Sequence, residues 1–230
     1  MLTVTDGHDL SDRHVLSLIG LHVHDQNHRR IFRGVKYDEC TANLARGRNG
    51  LVAEFLGTDC EWAWFVDTDM VLEPDTLDRL IDRAHETGYS IVGALCAMVG
   101  SSRPVPNLFY DSRDGMFDTP VDYPSGPTQV AATGTGCLLV HRNVFEAIRR
   151  DRTDGDWSWF NTDVRDNPVT GEPMMVGEDL TFCLRARESG FGVLVDCDIE
   201  VGHHKDRRVW WPEDCRRPYY KPVGELIAGG

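Results

Sequence analysis

The chain has 230 residues, 24 Lys and Arg against 37 Asp and Glu, a formal net charge of -13, and 41% hydrophobic and 27% charged residues. That length suits one domain with a sizeable core, and the acidic balance disfavours DNA or RNA as a partner, since sequence-independent binding needs basic surface. No apolar run reaches the ~20 residues of a membrane span, and the first residues lack the basic region and apolar core of a signal peptide, so a cytoplasmic location is expected.

A short strand is expected at Leu2 to Thr5, then a helix capped by Asp9 or Ser11 and carrying Val15, Leu16, Leu18 and Ile19. Phe32 to Asp38 shows no clear strand pattern. Thr41 or Asn43 caps a second helix, with Leu44, Leu51, Val52, Phe55 and Leu56 on its buried side. The apolar run Trp62 to Val66 reads as a buried strand over 62–67 that leads into Asp67-Thr68-Asp69. Pro74 opens a third helix to about His85, with Leu77, Leu80, Ile81 and Ala84 at helical spacing, and Gly88 ends it. Ile91 to Leu95 is a strand. The stretch 100–128, rich in Pro, Gly, Ser and Asp, reads as a long irregular excursion with a small hairpin around Asp114-Gly115. Thr133-Gly134-Thr135-Gly136 then enters a strand, Cys137 to His141, and Asn143 caps a short helix, Val144 to Arg150. A polar, Trp-containing loop covers 151–173 before Gly177-Glu178-Asp179 opens a helix that ends at Ser189-Gly190. Val193 to Asp196 and Ile199 to Val201 read as strands, the second running into Gly202-His203-His204. The tail from Lys205 is basic and aromatic, with Trp210, Trp211, Tyr219 and Tyr220. Alternating strand and helix segments argue for α/β architecture.

The chemistry-bearing residues cluster in this pattern. Alternation along an extended strand end sends Asp67 and Asp69 the same way, and two converging carboxylates repel unless a cation sits between them. Oxygen ligands of this kind suit Mg²⁺ or Mn²⁺, often shared with substrate phosphates. The plainer reading is a polar turn that caps the following helix. Glu178 and Asp179 sit where a helix dipole favours acids; they serve either as ordinary first-turn residues or, for an Asp in a pocket, as a general base. Of His203 and His204, neighbours on a strand, at most one can join a given site. Gly134, Thr135 and Gly136 are not a phosphate loop, having no Gly-Lys-Ser/Thr. They allow close approach of a sugar or of a neighbouring backbone, or make a simple turn. Arg48, in Arg46-Gly47-Arg48-Asn49, is either part of a solvated face or a guanidinium that neutralises phosphate or orients an acidic motif. The cluster His22, His24 and His28 lacks the ligand spacing of a known metal class. Trp157, Trp159, Trp210 and Trp211 could stack on sugars or pin loops. The seven cysteines form no Cys-x-x-Cys pair, and Cys96, Cys137 and Cys183 read as reduced core thiols.

Taken in order, Ala45 to Val52, Trp64 to Val71, Thr133 to Val140, Gly177 to Ala186 and Val201-Gly202-His203 resemble a GT-A glycosyltransferase of the family-2-like group, of the compact phage and bacterial type. The resemblance covers most of residues 41–204. It implies a single-domain Rossmann-like GT-A sandwich over 1–204 with a mixed, mainly parallel central sheet, and a tail over 205–230 that packs near the active site. It implies a transferase, hexosyltransferase-like, moving a sugar from a nucleotide-diphosphate sugar to a hydroxyl of a glycan or protein, with Mn²⁺ or Mg²⁺. Asp69 and His203 would hold the metal, with Asp67 near the ribose or a metal-bound water and counted with the metal ligands. Asp179, with Glu178 beside it, would be catalytic: a base in an inverting enzyme, or a contact to donor or acceptor hydroxyls in a retaining one. Arg48, Asn49, Asp67 and the Gly134-Thr135-Gly136 segment would line the nucleotide-sugar site. Two other functions compete: a sugar nucleotidyltransferase, whose usual N-terminal Gly-rich stretch with Arg is missing from Met1 to Leu10, and a non-catalytic carbohydrate- or protein-binding module.

Overall fold

A sheet with apolar residues on both faces requires helices on both faces, and this chain supplies them in alternation. The computed structural model describes residues 1–5, 10–39, 43–99, 104–112, 117–152, 158–167, 169–205 and 208–216. In chain order the elements are β1 (Leu2–Thr5), α1 (Asp12–Asn27), β2 (Lys36–Glu39), α2 (Leu44–Leu56), β3 (Trp62–Val66), β4 (Met70–Val71), α3 (Thr76–Thr87), β5 (Ile91–Val99), β6 (Pro104–Pro106), β7 (Tyr110–Asp111) and β8 (Phe117–Asp118). There follow β9 (Pro127–Val130), β10 (Cys137–His141), α4 (Arg142–Asp151), β11 (Asp163–Asp166), β12 (Pro173–Val176), α5 (Glu178–Glu188), β13 (Val193–Lys205), β14 (Arg208–Trp210) and a 3-10 turn, Pro212–Arg216.

The main sheet has 10 strands in the order β14-β13-β5-β10-β3-β1-β2, with β4 and β9 also paired to β13 and β6 to β5. From β2 to β13 only β10 runs against its neighbours. This is the single mixed α/β domain expected, with a mainly parallel centre, and it is consistent with a GT-A-like fold.

Period-two alternation divides the core. Ala63, Phe65, Leu138 and Val140 face one apolar layer with Val52 of α2, Phe145 of α4 and Phe182 of α5. Trp64, Val66, Cys137 and Leu139 face the other, with Leu21 of α1 and Leu80 of α3. Cys96, Cys137 and Cys183 are buried free thiols, as expected. Burial pushes the Cys137 and Cys183 thiols up to about 12, which leaves them unreactive.

Several elements differ from the sequence expectation. A strand does form between α1 and α2: β2 pairs parallel to β1 at the sheet edge. Its residues, Lys36-Tyr37-Asp38-Glu39, alternate half-buried and exposed, so no apolar run marks it. In α1, capped by Ser11, the buried residues are His14, Leu21 and Asp25, whereas Val15, Leu16 and Ile19 are exposed. In α2, capped by Asn43, Leu44 is exposed and Ala45 and Arg48 are buried. The cap of α4 is His141, whose ring accepts from the Asn143 amide, rather than Asn143. The two expected C-terminal strands are one strand, β13, with a register irregularity between Asp196 and Glu200. The 151–173 loop contains half of a hairpin, β11 paired with β12. Asp9, Thr41, Asp114-Gly115, Trp157, Tyr219 and Tyr220 lie outside the described residues, although β7 and β8 pair antiparallel on either side of residues 114 and 115. No helix among the described residues is long and apolar enough to cross a membrane.

Candidate functional site

The residues that close β3 do not continue as a strand. The Met70 amide donates to the Asp67 carbonyl at 3.1 Å, so 67–70 is a turn, and β4 then pairs with β13. Asp67 and Asp69 therefore leave β3 through a turn rather than along an extended strand. Asp67 turns towards α2, and Asp69 towards β13.

Asp69 Oδ2 lies 2.9 Å from His203 Nε2, and His203 Nδ1 donates to the Ala97 carbonyl at 2.9 Å. Burial works against the imidazolium, but the hydrogen bond and charge of Asp69 outweigh it and raise the His203 pKa. Burial likewise opposes the Asp69 carboxylate, and His203 outweighs it, holding Asp69 below the ordinary carboxylate range. His204 points away: its Nδ1 meets the Ser11 hydroxyl at the start of α1. Of the two histidines, His203 is therefore the one that joins the acidic turn. Gly202 precedes it because a Cβ there would stand 2.5 Å from Val209 and 3.2 Å from the Trp211 ring. The described start of the tail packs against the strand at this point, with Trp210 opposite His203.

Arg48 links the two acidic motifs. Its guanidinium donates to Glu178 Oε1 at 2.6 Å and to Asp67 Oδ1 at 3.2 Å, and its side chain is only 5% exposed. Burial alone would lower its pKa; the charges of Asp67, Glu178 and Asp179 raise it above the ordinary value, so it stays charged. Asp179 sits one residue into α5, its Oδ1 accepting from the Leu180 amide. Burial first, then the charge of Glu178, raises its pKa against the pull of Arg48.

The Gly134-Thr135-Gly136 segment runs between these groups. The Asp67 amide donates to the Gly136 carbonyl. A Cβ on Gly136 would come within 3.3 Å of Met70 and 3.6 Å of Asp67 Oδ2, and one on Gly134 within 3.5 Å of Asp179 Oδ2. Side chains there would fill the space between the carboxylates. Thr135 is buried, and among the described residues its hydroxyl has no hydrogen-bond partner.

Asn49 does not join the carboxylates. Its carbonyl accepts from the Trp159 and Phe160 amides at 3.0 Å each, and its amide donates to the Phe160 carbonyl at 2.8 Å. A half-buried helix position is here used to clamp a loop backbone. Trp159 is also structural: it is 1% exposed and its indole donates to the Phe145 carbonyl.

Two residues that hold the site were not singled out in the sequence. His14, buried on α1, donates from Nδ1 to the Met70 carbonyl at 2.8 Å and so supports the acidic turn from below. Burial lowers its pKa against that bond and against the charges of Asp69 and Asp67. Asn107 accepts from the Cys96 amide and donates to the Ala94 carbonyl and to the Thr133 hydroxyl, tying β5 to the glycine segment. Neither carries a sequence signal, since a lone His or Asn among loop and helix residues looks like any surface polar group.

Asp69 and His203 provide two candidate metal ligands; among the described residues no group of three or more His, Cys, Asp and Glu side chains is placed to hold an ion. Asp67, expected to be a third, has its Oδ1 3.2 Å from Arg48.

No protein-family model matches the chain, and no curated protein matches it. Among solved structures, A197 from STIV superposes with a TM-score of 0.60 at 16% identity, covering 93% of this chain and 89% of that one. GalNAc-T7, solved with UDP, GalNAc and Mn2+, superposes with a TM-score of 0.49 at 12% identity, covering 88% of this chain and 37% of that one. At these identities the likeness concerns the fold alone.

Proposed function

We propose that this chain is a metal-dependent glycosyltransferase that moves a sugar from a nucleotide-diphosphate sugar to a hydroxyl of a glycan or protein. One observation carries the reading: the Asp69–His203 pair, the Arg48 bridge from Asp67 to Glu178, and Asp179 meet where β3 ends, α5 begins and β13 passes. Open α/β sheets bind ligands at such strand ends.

Asp69 and His203 fit a divalent cation. Nδ1 of His203 is committed to a carbonyl, which leaves Nε2 facing the carboxylate, the arrangement that orients metal-binding histidines. With only two protein ligands, a Mn²⁺ or Mg²⁺ ion would keep positions for water and phosphate oxygens, and when bound it would neutralise the diphosphate leaving group. Arg48 holds Asp67 and Glu178 in place, so Asp67 borders the donor and Glu178 acts by positioning. Gly134 and Gly136 keep the space beside Asp179 and Asp67 open to the sugar. In an inverting reaction the acceptor hydroxyl gives its proton to Asp179 as its oxygen bonds to the anomeric carbon, and the bond from that carbon to the diphosphate oxygen breaks. A raised pKa makes Asp179 a stronger base than an ordinary carboxylate. The β11–β12 hairpin, which leads directly into Gly177, and β14 beside His203 border the side from which an acceptor would enter.

The test is thermal stability of the protein with UDP, GDP, CDP or dTDP, each with and without Mn²⁺, for the natural chain and Asp69→Ala. A ligand at 100 times its Kd adds about 2.7 kcal/mol to the folded state. The expected result is a rise of a few °C with one nucleotide, dependent on Mn²⁺ and lost in Asp69→Ala, which should also abolish turnover. Asp67, Asp69, Glu178 and Asp179 gather beside Arg48 and His203 here, so a diphosphate should not bind without the cation. No shift with any nucleotide in folded protein would overturn the reading in favour of a binding module, and full activity of Asp69→Ala would overturn its metal component.

A further inference from the structure

The outer face of α1 carries an apolar stripe that no other described residue covers. Val15, Leu16, Ile19 and Val23 are 38%, 60%, 56% and 53% exposed. At 100° per residue they lie on one side, opposite the buried His14, Leu21 and Asp25. Beside them runs a groove of about 370 Å³ whose far wall is Phe32 and Val35. A contiguous apolar surface of this kind on a soluble domain marks an interaction site.

Leu16 mirrors onto His22 of the groove wall, while Val15 and Val23 stand symmetrically about Ile19. Val15 precedes it by four residues and Val23 follows it by four. An antiparallel copy of the helix, related by a two-fold axis at Ile19, sets Ile19 against Ile19 and each Val15 against the partner's Val23. The ends match in charge as well. Asp12, 76% exposed, closes the stripe at its N-terminal end. Arg30 stands at the other end with its Nε on the Gln26 carbonyl, held there by a left-handed backbone conformation at φ 55°. Among the described residues Arg30 has no carboxylate partner. The same two-fold that pairs Val15 with Val23 brings Asp12 of each copy to Gln26 and Arg30 of the other. A lipid surface fits less well: the chain carries a net charge of -13 and the stripe has no Trp or Phe, the residues that anchor interfacial helices.

We infer that the outer face of α1 is a self-complementary surface through which two copies of this chain associate in an antiparallel, two-fold helix pair. Closed two-fold pairs are the commonest assemblies of soluble chains. One helix face buries less than a standard interface, so the association is of the transient class. It is independent of the glycosyl-transfer reading, because Ile19, Asp12 and Arg30 take no part in that site.

Sedimentation velocity of the full chain from about 1 to about 200 µM tests it over the range of transient affinities. The natural chain is expected to shift from one copy to two, and Ile19→Asp to stay at one. Ile19 is exposed, so that variant should keep the far-ultraviolet circular dichroism of the natural chain. Asp12→Arg should weaken association about threefold to tenfold, since each contact occurs twice, and adding Arg30→Asp should restore it. A natural chain that is monomeric throughout, or a dimer indifferent to Ile19→Asp and to the charge swap, would overturn the inference. Monomeric protein that instead sediments with phosphatidylglycerol vesicles in an Ile19-dependent way would replace it with a membrane surface. If Ile19→Asp fails to fold, the charge swap and its reversal decide alone.

Discussion

Asp179 shows how one side chain is set between opposing demands. Burial and the charge of Glu178 disfavour its carboxylate, and Arg48 and the Leu180 amide favour it; the net effect is a raised pKa. A raised carboxyl pKa means that the ionised form costs the folded state free energy at neutral pH, and that the cost fades as pH falls through the raised value towards the ordinary one. Asp179→Asn keeps the oxygen that accepts from Leu180 and removes the charge. It is therefore expected to raise Tm by a few °C near neutral pH, with the difference shrinking at about pH 4, while turnover falls by about 10²- to 10⁴-fold. Melting curves at both pH values and a turnover assay check this; an unchanged neutral-pH Tm would mean that Arg48 already compensates the buried charge in full. The identities of this site were legible in the sequence: Asp67, Asp69, Glu178, Asp179, Arg48 and His203 stand out by residue type and order. Their pairing was not. Period-two alternation assumes an extended chain, and the 67–70 turn separates Asp67 from Asp69, giving one to Arg48 and the other to His203. His14 and Asn107 were illegible because burial, which makes a polar residue informative, is a property of the fold.

Among the elements, β13 carries the greatest positioning demand. Its first half pairs with β5 and β9, its register shifts between Asp196 and Glu200, and its second half delivers His203 to Asp69. The irregularity is stapled from outside by α3. Arg83 Nε donates to Asp196 Oδ2 at 2.5 Å, Asp196 Oδ1 accepts from the Asp198 amide, and Arg79 donates to the Asp198 carbonyl. Asp196 is 1% exposed and Arg83 26%, so removing the arginine strands a buried carboxylate. Breaking a fully buried pair costs about 3–5 kcal/mol; because Arg83 is partly solvated, Arg83→Ala is expected to cost about 2 kcal/mol by urea unfolding. Arg150→Ala, which removes an exposed pair with the neighbouring Asp151, should leave the urea midpoint essentially unchanged and serves as the control. Equal losses in the two variants would show that the bulge needs no external support. In the sequence this element read as two strands, because Asp198, which bonds to the Gly126 amide, interrupts the apolar pattern between them. The edge strand β2 was missed for the opposite reason, being too polar to look like a strand. Elements buried on both sides were located best, β10 to the residue and β3 to within one, since a continuous apolar run leaves little choice of boundary.

For the molecule as a whole, the alternation of strands and helices announced the class, but strand order depends on contacts distant in sequence. That β10 enters antiparallel between β3 and β5, bringing Gly134 to Gly136 beside both acidic motifs, follows from no local pattern. Net charge, by contrast, is read directly from the chain, and it sets a balance that experiment can weigh. A charge of -13 repels itself over the whole surface and destabilises the compact state. Exposed pairs such as Arg29–Asp82 and Arg187–Asp111 oppose this only weakly, because solvent screens them. Salt screens both effects, while Arg48, 5% exposed, is sheltered from it. If the long-range repulsion dominates, Tm should rise by a few °C between about 20 and about 300 mM KCl, with chloride chosen because it is weakly excluded from protein surfaces compared with sulfate. The scan should be run at low protein concentration, so that association through α1 adds nothing. A Tm that falls with salt would mean that the exposed ion pairs outweigh the net charge. The acidic surface would then be organised into local pairs, and its screening would no longer predict how an anionic diphosphate approaches the site.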